Sequence, residues 1–127
     1  MTSSLPVDGS PVRVLVVDDS EDQLNLLRRY FERAGCEVQV AATALDGIDL
    51  FETTTPELTV IDLVLPGMDG WELAAQLRTR YPGCPIAITS VLSEEHYPKG
   101  YFVLPKPVTS EHVRTALSET VPRWKAA

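Results

Sequence analysis

Positive charge is scarce in this chain: its 127 residues carry 11 Lys and Arg against 18 Asp and Glu, a formal net charge of −7. That balance argues against a domain that grips phosphate backbones by bulk electrostatics, so direct nucleic-acid binding is not expected. Cysteine and histidine are equally thin, at two each. Cys36 and Cys84 stand 48 positions apart, with no Cys-x-x-Cys pair and no neighbouring histidine, which indicates neither a zinc site nor a redox couple. Long apolar runs are missing too. The stretch Val14–Val17 falls far short of the roughly 20 residues a helix needs to cross a bilayer. The opening MTSSLPVDGSP has no basic start and no apolar segment, so it does not read as a secretion signal and predicts a cytoplasmic protein.

What remains is the make-up of one soluble globule: 14.0 kDa, 44% hydrophobic, 23% charged, mean hydropathy −0.02. Short β-branched runs alternate with amphipathic stretches, the order that builds a parallel sheet covered on both faces. The predicted strands are Arg13–Val17, Glu37–Ala41, Leu58–Ile61, Ile86–Thr89 and Phe102–Leu104. Ser20 with Gln23 resembles a capping box for a helix that shows Leu24, Leu27, Phe31 and Ala34 on one face and stops at Gly35. Thr43 with Asp46 opens a second, with Ala44, Leu45, Ile48 and Phe51 expected inward and Pro56 ending it. Asp69 with Glu72 opens a third along Leu73, Leu77 and Tyr81. Ser110 precedes a last helix carrying Val113, Ala116, Leu117 and Val121, which Pro122 should fray or bend. Between the fourth and fifth strands, Val91–Gly100 hold about one helical turn where a regular crossover needs ten residues or more, so a loop or single turn is expected there.

The strand ends carry the chemistry. Asp18 and Asp19 close the first strand and Asp62 closes the third. If those strands are adjacent, three carboxylates meet at the carboxyl edge of the sheet. Like charges about 4 Å apart repel by on the order of 4 kcal/mol at an effective dielectric of 20, so the cluster must take up a cation or protons. A hard, oxygen-seeking ion such as Mg²⁺ suits it, with Mn²⁺ as a substitute. The blander alternative is that Asp18, Asp19 and Ser20 only cap a helix while Asp62 begins a turn. Thr89 at the end of the fourth strand and Lys106 after the fifth weigh against it, because they bring a hydroxyl and an ammonium to the edge where phosphate oxygens would need them.

With those positions together, the chain resembles the response-regulator receiver family of two-component signalling. The matching text is VLVVDDS (residues 14–20), VIDLVLPGMDG (60–70), PIAITS (85–90) and PKP (105–107), and the resemblance covers about residues 12–121. It implies a flavodoxin-like, doubly wound α/β fold with a five-stranded parallel sheet in the order 2-1-3-4-5, the fourth helix shortened or absent. Residues 1–11 are then an N-terminal segment and 122–127 a C-terminal tail, with no output domain. The family implies that Asp62 accepts a phosphoryl group from a sensor histidine kinase or a histidine phosphotransfer protein. Asp19 and Asp62 would ligate Mg²⁺ directly, Asp18 through water, and the Val64 carbonyl would add an oxygen. Lys106 would pair with Asp62 and then with the phosphoryl oxygens, the Lys106–Pro107 bond being usually cis, and Thr89 would donate its hydroxyl and move inward as the switch. Gly67 and Gly70 suit the turn after Asp62. Such a protein is not an enzyme acting on a separate substrate: it catalyses its own phosphorylation and a slow autodephosphorylation.

Two departures qualify the match. The aromatic usually found three residues before the lysine is replaced by Val103, and Tyr101, on the same strand face, is the candidate displaced switch residue; the bland alternative is that it covers the sheet edge. The 17 positions from Thr89 to Lys106 are several fewer than usual, which alters the common partner surface. His96 reads as a loop residue, and Trp71 and Trp124 as packing or partner-facing aromatics. A partner-binding module that is never phosphorylated is the main rival, disfavoured because all five site residues are present. A haloacid-dehalogenase-type hydrolase lacks its acid-x-acid pattern here, and a flavodoxin would need a phosphate loop where Ser20–Gln23 would repel an anion. Val64 and Val91, two residues after Asp62 and Thr89, border the path of an attacking water in the family. On one reading their apolar side chains exclude it and give a phosphoryl state lasting many minutes, and on the bland alternative both only pack; decay within seconds, followed by loss of the phosphorylated mass, would refute the first.

Overall fold

The computed structural model describes residues 10–65, 70–90 and 100–124. The elements are β1 (Val12–Val17), α1 (Glu21–Arg33), β2 (Cys36–Ala41), α2 (Ala44–Thr54), β3 (Leu58–Asp62), α3 (Gly70–Arg80), β4 (Ile86–Ser90), β5 (Phe102–Pro105) and α4 (Ser110–Thr120). All five strands pair in parallel in the order β2-β1-β3-β4-β5. Each expected strand is present, longer by a residue at one end, and the doubly wound receiver-type topology is as expected. The shortened helix expected between β4 and β5 falls on residues outside those described, as do Val91, His96, Gly67 and the Asp69 cap.

Strand alternation sorts the core into two layers. Val14, Val16, Val60, Ala87 and Leu104 meet Leu27 and Phe31 of α1 and Val113 and Leu117 of α4 on one face. Leu15, Val17, Ile61 and Ile88 meet Phe51 of α2 and Leu73 and Leu77 of α3 on the other. All of β3 is buried, as the central strand of a sheet covered on both sides must be. Cys36 and Cys84 are free thiols, and the sheet order puts β2 and β4 three spacings apart, about 14 Å.

The helix starts follow the expected caps at Ser20 and Thr43, whose hydroxyls accept from Gln23 N at 3.3 Å and Asp46 N at 3.1 Å. The last helix corrects the expectation: Thr109, not Ser110, is the cap. Its hydroxyl accepts from His112 N while His112 Nδ1 accepts from Thr109 N, both at 3.1 Å, so the histidine completes a reciprocal box. Leu45 is a second correction. It is 69% exposed rather than inward, because α2 meets β1 through Gly47, where a Cβ would lie 2.9 Å from a Val17 methyl. That close approach centres the buried stripe on Ala44, Gly47 and Phe51, and Leu45 lies about 100° around the helix from Ala44.

The supposed tail is part of the fold as far as residue 124. Arg123 donates to both oxygens of Glu57 at 2.8 Å, to the Ser10 carbonyl at 2.9 Å and to the Pro11 carbonyl at 3.1 Å. Trp124 Nε1 donates to the Ala34 carbonyl at 2.8 Å, and Arg114 lies 5.5 Å above its ring. Arg13 donates from Nε to Thr54 O at 3.1 Å and from Nη2 to Thr55 O at 3.3 Å, satisfying carbonyls at the end of α2. Burial would raise the Glu57 pKa, but Arg123 and Arg13 outweigh it and hold the carboxyl below its ordinary value. A lowered acid pKa gives stability that is present above the unfolded value and lost as pH falls. Arg123→Ala should therefore cost about 1–3 kcal/mol at neutral pH, and chemical denaturation should show the gap from wild type narrowing below the carboxylate range.

Candidate functional site

Register alone brings the acids together. Val17 pairs with Ile61, which sets Asp18 level with Asp62, and Asp62 pairs with Thr89. Thr89 pairs with Leu104, two residues before Lys106. One oxygen from each of Asp18, Asp19 and Asp62 lies within 4.8 Å of the others. Asp18 is 1% exposed and Asp62 7%, while Asp19 is exposed. Thr89 is buried at the same edge.

Backbone amides aim the two buried carboxylates. Ser20 N donates to Asp18 Oδ1 at 2.9 Å and Val64 N to Asp62 Oδ1 at 3.1 Å. Lys106 Nζ donates to Asp62 Oδ2 at 3.2 Å and stands 3.9 Å from Asp18 Oδ2, too far for a hydrogen bond. Asp18 Oδ2 is consequently buried without a hydrogen-bond partner. Sequence reasoning missed both amide anchors, although an Asp two residues before a free N–H is a known local pattern. It also missed why Gly70 must be glycine. Gly70 N donates to Leu63 O at 2.9 Å, and a Cβ there would lie 2.1 Å from the Asp62 carbonyl oxygen, so α3 begins directly against the backbone that carries Asp62.

Desolvation raises the Asp18 pKa to about 6, helped by the charges of Asp62 and Asp19 and opposed by the Ser20 amide and Lys106. A crowded acid cluster with one orphaned, buried oxygen and, among the described residues, a single lysine fits a hard divalent cation: the donors are oxygens and the excess charge is negative. Val64 exposes 72% of its surface beside this cluster, and its carbonyl role rests on the family resemblance. The Lys106–Pro107 bond is cis, as the resemblance implies.

Of the two readings of Tyr101, as a displaced switch residue or as cover for the sheet edge, its position favours the second. Ala87 pairs with Phe102, which sets Tyr101 level with Ile86, three residues and about 10 Å along the sheet from Thr89. The ring packs with the α2–α3 layer, under the Arg78 guanidinium at 4.9 Å. It shares a face with Val103, as the alternation predicted, but does not lie beside Thr89.

A family model described as "Response regulator receiver domain" matches residues 14–118. The chain belongs to that family, the receiver domains of two-component signalling. It is 37% identical over 83 residues to the alkaline phosphatase synthesis transcriptional regulatory protein PhoP of Bacillus subtilis, a match covering 65% of this chain and 35% of the relative. It is 40% identical over 85 residues, 65% of each chain, to an uncharacterized 14.6 kDa protein of Leptolyngbya boryana. The matched part spans about a third of the length of the first curated relatives. Among solved structures, the Francisella response regulator 1452 receiver domain is similar at TM-score 0.80 and 28% identity, over 90% of this chain and 99% of that one. Chemotaxis response regulator CheY4 of Vibrio cholerae shares the fold at TM-score 0.80 and 23% identity, over 87% and 99%.

The raised Asp18 pKa sets a sign. Between the unfolded value and about 6 the folded chain binds more protons than the unfolded one, so metal-free stability falls as pH rises through that window. A cation needs the ionised form, so its affinity should weaken by up to about tenfold per pH unit below that value. Calorimetric titration with Mg²⁺ at pH 7.5 and pH 5 should show this loss, and Asp18→Asn should melt higher than wild type without metal at pH 7.5. Equal affinity at both pH values would contradict the assignment.

Proposed function

We propose that this chain is a phosphorylatable receiver whose acceptor is Asp62. The observation that carries the reading is the meeting of three carboxylates, Lys106 and Thr89 at one sheet edge, with Lys106 Nζ 3.2 Å from Asp62 Oδ2. The donor is the phosphohistidine of a sensor histidine kinase or histidine phosphotransfer protein, and transfer takes place in the cytoplasm. An Asp62 carboxylate oxygen attacks the phosphorus, so a P–O bond forms as the P–N bond breaks and its electron pair goes to the imidazole nitrogen. Asp18, Asp19, Asp62 and the Val64 carbonyl would hold Mg²⁺, or Mn²⁺ in its place, which when bound offsets the negative charge on the phosphoryl oxygens. Lys106 holds the free acceptor and then pairs with the phosphoryl oxygens. Thr89 supplies a hydroxyl to them, so the end of β4 reports the modification.

The modification is the output. The chain displays a phosphoryl group to a downstream protein, without touching nucleic acid itself and without turning over a separate substrate. Tyr101, held level with Ile86, is poorly placed to read Thr89, and Val103 is the residue nearer that row.

Intact mass after incubation with phosphoramidate tests the reading. A single Mg²⁺-dependent gain of about 80 Da in the wild type, absent from Asp62→Asn, is expected for one phosphoryl group. No gain under any condition would leave a module that binds partners in its unmodified state.

A further inference from the structure

Capping boxes usually close with Glu or Gln at the third helical position, side chains that keep an acceptor oxygen throughout the neutral range. In α4 that position is His112, half-buried, whose Nδ1 accepts from Thr109 N at 3.1 Å while the Thr109 hydroxyl accepts from His112 N at the same distance. An imidazole nitrogen accepts only when it carries no proton, so this bond fixes a neutral ring with its hydrogen on Nε2. A protonated ring donates from both nitrogens, and Nδ1–H would then face the Thr109 N–H, at a helix N-terminus where positive charge is itself unfavourable. Histidine is also the side chain whose ordinary titration falls between pH 5 and 8.

The surroundings of His112 offer little to offset a positive charge. Among the described residues no ion pair involves it. On its own helix Glu111 is adjacent in sequence and exposed. β5, packed against α4, has no titratable side chain, and Lys106 just beyond the strand is engaged with Asp62. On α1, Arg28 and Tyr30 are half-buried, while Glu21, Asp22, Arg29, Glu32 and Arg33 are exposed.

What the box holds is the link behind Lys106. β5 ends at Pro105, Lys106 Nζ reaches Asp62 Oδ2 at 3.2 Å, Val108 is buried in the α1–α4 layer, and Thr109 opens α4. The far end of that link is therefore tied by the reciprocal bonds between Thr109 and His112. We propose that the Thr109–His112 box is a pH-sensitive latch: closed while the His112 ring is neutral and opened when the ring takes up a proton. Acidification then frees the start of α4 and slackens the segment that carries Lys106 to Asp62. The unfolded chain has no such bond to lose, so the stability the box contributes is present on the alkaline side of the titration and lost on the acid side. The latch goes beyond the phosphoacceptor reading and stands independently of it.

The test uses the full chain in metal-free buffer, so that the acid cluster titrates alike in every protein compared. Nitrogen-15 NMR at pH 8 should show His112 with Nδ1 unprotonated and Nε2 protonated, and on lowering the pH to 5 the Thr109 and Lys106 amide resonances should move with those of the ring. His112→Gln supplies an acceptor that does not titrate: its Thr109 amide should hold still over the same range, and its Lys106 amide should move only with the acid cluster. In urea unfolding, the folding equilibrium constant of the wild type relative to His112→Gln should fall about threefold to tenfold from pH 8 to pH 5, as expected for the loss of one hydrogen bond. A His112 ring protonated at Nδ1 at pH 8, a Thr109 amide that does not follow the ring, a Lys106 amide that moves alike in both proteins, or the same pH dependence of stability in both would overturn the latch. The tautomer and the coupled Thr109 shift are read on the wild type alone, so the latch is tested even where the variant fails to fold.

Discussion

Three carboxylates held within 4.8 Å of one another, two of them buried, would repel strongly enough to open the sheet edge unless something opposed them. Lys106 is the main opposing charge, and it reaches only one of the buried pair within hydrogen-bond distance. The Ser20 and Val64 amides take up one oxygen each. The remaining strain is visible as a buried Asp18 oxygen with no hydrogen-bond partner and a carboxyl that stays protonated to about pH 6. The site is therefore built around an excess of negative charge, and its capacity to attract a cation follows from the same crowding that destabilises it without one.

That excess has to be held by the rest of the molecule, and at the opposite edge of the sheet side-chain hydrogen bonds tie distant segments together. Arg123 gathers Glu57, Ser10 and Pro11, and Trp124 is bonded to the end of α1. These contacts fix the entry of β1 and β3 and the exit of α4 at one place. Strands pinned at their amino ends carry their acids at the other, and the two apolar layers between them leave little room for register to slip.

Much of this was legible in the amino acids because it depends on local pattern. β-branched runs marked the strands, hydroxyl caps marked α1 and α2, and the chemistry sat at strand ends that parallel pairing must bring together. What escaped depends on contacts between distant segments. Leu45 faces solvent because Gly47 lets α2 settle onto Val17, which no helical periodicity reports. Thr109 and Ser110 are both good caps, and the choice between them turned on His112 closing the box. Arg123 and Glu57 are 66 positions apart, so nothing near either residue marked them as partners.

Tyr101 joins both lessons. Alternation put it on the α2–α3 face with Ile86 and Ile88, whereas Thr89 pairs with Leu104 on the other face, and register set it three residues away along the sheet. The row beside Thr89 instead holds Leu104, fully buried, with Val103 one residue earlier. An aromatic ring that swings between exposed and buried positions is a large two-state element; a valine on a strand is not, because its branched side chain has one strongly preferred rotamer. On the proposed reading, a change at Thr89 in this chain would have to travel as a movement of backbone and loop rather than as the flip of a ring.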